Sequence, residues 1–171
     1  SQPNEGKACL DLALSHDGPS YIRLGKNGEP DLSQHLLSEQ GGTKIYCNET
    51  NNCDLLLFTY GPIALECIQA ANILAISGLK ISVCSILQVK PLPDNVIQIC
   101  SNQNHIIAVE EHSTYHSVGS SLLKALSLEG FGGKFKVIGI EDKFTEIVGS
   151  RDFLLKHHKI DSQSIAENVL L

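Results

Sequence analysis

A chain of 171 residues, 42% apolar and 19% charged, is long enough to bury the core of one domain and has the balance of an ordinary soluble protein. Its formal charge of −6 leaves no basic field to displace counterions, which argues against nucleic-acid and anionic-membrane partners. The longest apolar stretch, Ile63 to Ile76, is interrupted by Glu66, Gln69 and Asn72 and is too short and too polar to span a bilayer.

Residues 4–16, "NEGKACLDLALSH", set Ala8, Leu10, Leu12 and Leu14 among polar neighbours and predict a helix. "DGP" breaks it, and "SYIRLG" predicts a short strand. "KNGEPDLSQHLLSEQGG" has no sustained period and reads as a linker. Strands are then expected at "TKIYCNE", with Ile45 and Cys47 on one face, and at "CDLLLFTYG", a continuous apolar run suited to burial on both faces. The Asn-rich turn between them predicts an antiparallel pair at a sheet edge.

Pro62 opens the next helix, where its missing N–H costs nothing, and Gly78 closes it. "LKISVCSILQV" predicts a strand, "PLPDNVIQICSN" a short helix, "HIIAVEE" a strand and "HSVGSSLLKALSLEG" a helix ending in Gly. "FKVIGIED" is the last expected strand. Two short helices follow in the tail, with Asp161 as a cap and Ile165, Val169 and Leu170 on one face. Strands alternating with helices predict an α/β domain with a largely parallel sheet covered on both sides.

Cysteines stand at positions 9, 47, 53, 67, 84 and 100 without a CxxC pair, several inside apolar runs. That pattern suits free buried thiols in a reducing cytoplasm, with a Cys47–Cys53 bridge as the other option. No charged-then-apolar leader opens the chain. It contains no methionine, so Ser1 is expected to be a processed terminus or a boundary within something larger.

Candidate chemistry concentrates in two places. In "HIIAVEEHSTYHSVGSS", His112 and His116 are four apart and would share a face if helical, directly after Glu110 and Glu111. Zinc needs three or four converging ligands and the H-E-x-x-H spacing is absent, so a strand-to-helix turn capped by Ser113 or Ser117 is the plainer account. The outer end of a parallel strand is nevertheless where α/β sheets present functional groups, which keeps His112 and Glu111 as candidate ligand or interface contacts. In "YIRLGKNG", Arg23 and Lys26 enter a Gly-containing loop, either as two cations for a phosphate or as solvated charges. Asp54 heads a buried strand as a turn acceptor. "GFGGKFK" runs from helix to strand, the wrong order for a phosphate loop, and no G-x-S-x-G, G-x-G-x-x-G or P-loop occurs. No residue is assigned as catalytic or as a metal ligand.

Three stretches, in this order, resemble the C-terminal part of the thiamine-diphosphate transketolase family, which includes transketolase and 1-deoxy-D-xylulose-5-phosphate synthase. They are "PNEGKACLDLALSHDGPSYIRLGK", "DLLLFTYGPIALECIQAANILAISGLKISVCSILQVKPLP" and "HIIAVEEHSTYHSVGSSLLKAL", with a looser match in "DKFTEIVGSRDFLLKHHKIDSQSIAENV". The β-subunit of a 2-oxoacid dehydrogenase is also similar, but Glu-Glu-His favours the transketolase branch. The resemblance implies a three-layer α/β sandwich with a mixed, mostly parallel five-stranded sheet and one antiparallel edge strand. Residues 1–26 would then be the helix–strand remnant of a pyrimidine-binding domain, 27–42 a linker and 43–171 the C-terminal domain.

It also implies transfer of a two-carbon ketol unit between sugar phosphates, or 1-deoxyxylulose-5-phosphate synthesis, by a cytoplasmic homodimer using thiamine diphosphate and Mg²⁺. The chain itself is expected to bind neither, because the family's Gly-Asp-Gly…Asn segment and activating glutamate are not in it. Its role would be assembly with the rest of the parent enzyme or a partner subunit. Lys26 aligns with a family arginine that holds the substrate phosphate, with Arg23 as the second candidate; lysine keeps the charge and loses the fork. The chain departs from the family at "EEHSTYHSVGSS", where a Gly-Gly pair is usual near Tyr115 and His116. A stand-alone interaction or small-ligand-binding domain of the same fold is the alternative.

Overall fold

The β-branched and leucine-rich runs form one mixed sheet with helices on both faces. The structure is a computed structural model and describes residue 3, residues 5–25 and residues 28–170. Helix α1 (Glu5–Ser15) leads to strands β1 (Leu36–Gln40), β2 (Thr43–Tyr46) and β3 (Leu55–Tyr60), then α2 (Ala64–Ala75) and β4 (Ile81–Ile86). There follow α3 (Asp94–Ser101), β5 (His105–Ser113), α4 (Val118–Leu128), β6 (Lys134–Ile140), α5 (Arg151–His157) and α6 (Ser162–Leu170).

The sheet order is β1-β2-β4-β3-β5-β6, six strands where five were expected. The added strand is β1, inside the segment read as a linker; it runs antiparallel to β2, with a register shift between Leu36 and Ser38. "SYIRLG" forms no strand, and residues 19–25 have no regular structure, since an extended segment without a neighbour gains no ladder.

The pairing of β2 also differs from expectation. It lies antiparallel to β4, not to β3, and β4, β3, β5 and β6 run parallel. The Asn-rich connection crosses the start of β4 instead of closing a hairpin. Cys47 turns with φ 69°, Asn48 Nδ2 donates to the Ile81 carbonyl at 2.9 Å, and Asp54 N–H donates to the Lys80 carbonyl at 2.8 Å. Asp54 completes this clamp as a turn acceptor, taking the Lys80 N–H at 2.8 Å.

Strand β3 is buried on both faces because its side chains alternate between two cores. Leu55 and Leu57 join Ile68, Leu74, Leu155 and Ile165 under α2, α5 and α6. Leu56 and Phe58 join Val96, Cys100, Leu122 and Leu126 under α3 and α4. The helix α2 begins after one 3₁₀ turn, Gly61–Ile63, that carries Pro62. It is released at Gly78, whose φ of 81° favours a residue without Cβ. At α6, the Ser162 N–H is capped from α2 by Glu66 Oε2 at 2.8 Å, while the expected cap Asp161 accepts from the Ser164 hydroxyl.

Candidate functional site

The carboxyl ends of β3 and β5 meet the start of α4 at one polar rim. Glu110, the sixth residue of β5, has no exposed surface. Its Oε1 accepts the Gly119 N–H at 2.7 Å, and its Oε2 accepts the Val118 N–H and the Tyr60 hydroxyl, each at 3.0 Å. Two backbone donors and a phenol thus replace the water that this carboxylate gave up. The approach is close enough that a Cβ on Gly119 would lie 2.7 Å from Ala108 Cβ and 2.8 Å from Glu110 Oε1.

Ser117, one of the two expected caps, accepts the Ser120 N–H at 3.0 Å. The first-turn donors of α4 at Val118, Gly119 and Ser120 are therefore all engaged within the chain and do not form an anion cradle. Ser113 lies in β5 and turns the chain by accepting the Tyr115 N–H at 3.2 Å.

Burial, reinforced by the Glu110 charge, pushes the Tyr60 phenol far above its ordinary range; Arg23 acts in the opposite direction. This coupling puts Arg23, exposed and in irregular chain, within electrostatic reach of the rim. Lys26 lies outside the described residues.

Glu111 is held by a two-pronged contact, with Arg151 Nε donating to Oε1 at 2.9 Å and Nη2 to Oε2 at 3.1 Å. Burial alone would lower the guanidinium pKa, but the hydrogen bond and charge of Glu111 carry it above its ordinary value. The pair ties the end of β5 to the start of α5. His112 is exposed in the same strand, its Nδ1–H donating to the Ser113 carbonyl at 3.1 Å. His116 stands in the turn at φ 53°. The two histidines thus share no helical face, because β5 continues through Ser113. Among the described residues no group of three or more His, Cys, Asp or Glu side chains is placed to hold a metal ion.

Tyr60 and Arg151 are the rim residues that sequence reasoning missed. A tyrosine closing a buried strand was a usable signal, because a phenol at a strand end seeks a polar partner. Arg151 had no local signal, being 40 residues from Glu111.

The six cysteines are free. Burial pushes Cys47 up to about 11 and Cys84 up to about 12. The Cys53 thiol donates to the Thr50 carbonyl and to Gln103 Oε1, both at 3.4 Å.

The family model for the transketolase C-terminal domain matches residues 47–165, well over half of the chain. The chain belongs to the transketolase C-terminal domain family. A subunit of apulose-4-phosphate transketolase from Actinobacillus succinogenes is 29% identical, over 99% of this chain and 54% of that protein. 1-Deoxy-D-xylulose-5-phosphate synthase 1 of Geobacter sulfurreducens is 33% identical, over 95% of this chain and 26% of that protein.

A split-gene transketolase, described as an inactive β4 tetramer, superposes with a TM-score of 0.81 at 22% identity, over 99% of this chain and 55% of that one. Transketolase from Campylobacter jejuni gives 0.65 at 21% identity, over 99% and 25%. These superpositions establish a shared fold for this transketolase C-terminal domain. The chain spans about half the length of its subunit-sized relative and about a quarter of the synthase.

Proposed function

We propose that this chain is the C-terminal region of a transketolase-like thiamine-diphosphate enzyme, serving assembly and contact with the substrate phosphate and not catalytic alone. The observation that carries the reading is the surface of residues 5–24. Leu10 is 51% exposed, Leu14 77%, Tyr21 90% and Leu24 70%, and α1 buries only Glu5 among its side chains. Apolar exposure on that scale suits a segment completed by further protein. This agrees with residues 1–26 as the end of a preceding domain, tied by the following segment to the sheet. The partner is the rest of the parent enzyme or a separate subunit, in a cytoplasmic homodimer; free thiols suit that compartment.

The phosphate contact is assigned to Lys26 and Arg23. Arg23 is exposed and electrostatically coupled to Tyr60, at the end of the sheet where α/β folds present functional groups. His112 and Glu111 are assigned to the subunit or ligand contact at the same rim. The described residues do not fit a Mg²⁺–diphosphate site, lacking a convergent set of three or more carboxylate, His or Cys ligands. Thiamine diphosphate and Mg²⁺ belong to the parent enzyme.

The test is reconstitution. The purified chain with thiamine diphosphate and Mg²⁺ should show no ketol transfer, and adding the polypeptide that carries the thiamine-binding half should restore it. In the complete enzyme, Lys26→Ala or Arg23→Ala should raise KM for a phosphorylated sugar roughly ten- to hundredfold more than for an unphosphorylated one. Turnover by the chain alone would overturn the division of labour. Equal effects on the two substrates would leave both residues as plain surface charges. A chain that pairs with no thiamine-binding partner would instead be a stand-alone interaction domain.

A further inference from the structure

An open groove of about 1010 Å³ runs along α3, from Gln40 and Asn95 beside the carboxyl end of β4 to the 49–54 loop and the amino end of β5. Seven of its twelve lining residues are Asn or Gln, out of eighteen in the whole chain. Twelve residues are a small fraction of 171, so this concentration of carboxamides belongs to the place and not to the composition.

The floor is fixed from behind. Gln103 Nε2 donates to the Thr50 and Ile99 carbonyls, each at 3.1 Å, and its Oε1 accepts from Cys53. Asn95 Nδ2 donates to the Gln40 carbonyl at 2.9 Å, and Asn102 Nδ2 to the Gln98 carbonyl at 2.9 Å. The side chains of Asn51, Gln98 and Asn104 are exposed above that floor and take no part in these bonds.

The chemistry of the lining narrows the ligand. It contains no Lys or Arg to meet a phosphate, and its one carboxylate, Asp54, already accepts the Lys80 N–H at 2.8 Å. Its one ring is the exposed imidazole of His105 at the start of β5, with no Tyr, Phe or Trp to offer a broad stacking face, and Ile99 is its only aliphatic side chain. The seven carboxamides that dominate the lining are neutral and each carry donors and an acceptor side by side. The main chain of an extended polypeptide presents the complementary pairs, one N–H and one C=O per residue.

We propose that this groove binds an extended, uncharged polypeptide segment through main-chain hydrogen bonds to Asn51, Gln98 and Asn104.

The experiment selects a phage-displayed library of random dodecapeptides on the 171-residue chain. Titration calorimetry with the capped synthetic winners then compares the wild type, the Gln98→Ala/Asn104→Ala variant and a control, Lys124→Ala, at an exposed position of α4. The expected winners are poor in charged residues, bind at least tenfold more weakly to the double variant, equally to the control, and lose binding on main-chain N-methylation. Circular dichroism and unfolding curves establish that the double variant stays folded. The proposal is overturned if no peptide is enriched, if affinity is indifferent to the double substitution, or if N-methylation is harmless. Capture of oligosaccharides through the same residues on a glycan array, with no peptide binding, would make it a carbohydrate site.

Discussion

Glu110 is accommodated without exposure because Tyr60, Val118 and Gly119 converge on it. Removing the acceptor is therefore costlier than removing one donor. Glu110→Ala strands two N–H groups and a phenol, and is expected to lower unfolding free energy by on the order of 3 kcal/mol, against about 1 kcal/mol for Tyr60→Phe. Gly119→Ala forces a methyl against Ala108 and Glu110 and should cost about 1–3 kcal/mol. Urea unfolding checks all three, and a neutral Gly119→Ala would mean that α4 simply slides away from the sheet. Thiol burial adds a pH dependence. Cys47 ionises near 11 when folded and at roughly 8.5 when unfolded. Its contribution is complete below the unfolded value and is lost as pH rises through the folded one. In reductant, the urea midpoint should fall between about pH 8.5 and 11, and Cys47→Ala should reduce that fall.

At the scale of elements, α1 is joined to the sheet by charge. Lys44 and Glu5 are both buried, with Nζ 3.0 Å from Glu5 Oε1 and 3.9 Å from Glu39 Oε2. An isolated surface pair contributes little, but a buried one couples its partners because either charge alone is poorly solvated. Glu5→Gln and Lys44→Met should each destabilise the chain, on the order of 3 kcal/mol. The double variant should lose less than the sum, with a coupling of about 1–3 kcal/mol. A double-mutant cycle by chemical denaturation measures this directly. Strict additivity would show that α1 is docked independently of the pair.

For the whole molecule, the proposed assembly role makes the exposed leucines of α1 the contact to test. Leu10→Asp/Leu14→Asp should abolish co-purification with the polypeptide that carries the thiamine-binding half. It should leave the unfolding free energy of the isolated chain within about 0.5 kcal/mol, as expected for exposed positions. Retained assembly would move the contact elsewhere, and a large loss of stability would show that α1 packs on its own chain.

What the residues determined by themselves is local. The unbroken run Leu55–Phe58 required a strand buried on two faces. Pro62 and Gly78 bounded a helix through their own backbone chemistry, and Ser117 marked a helix start. The ordered segments, as an ensemble, resembled the family that residues 47–165 match. Pairing was decided only in three dimensions, because every strand edge competes for partners and pairing energy ignores sequence distance. Proximity in sequence suggested a β2–β3 hairpin, yet Asn48 anchors at Ile81 and β2 takes the edge of β4. "LLSEQ" has too few apolar residues to announce a strand, and β1 exists because β2 offers it an edge. Glu111 with Arg151 and Glu5 with Lys44 were invisible for the same reason. A charge reveals its sign in the sequence, but burial and the partner that makes burial tolerable arise only when distant segments pack together.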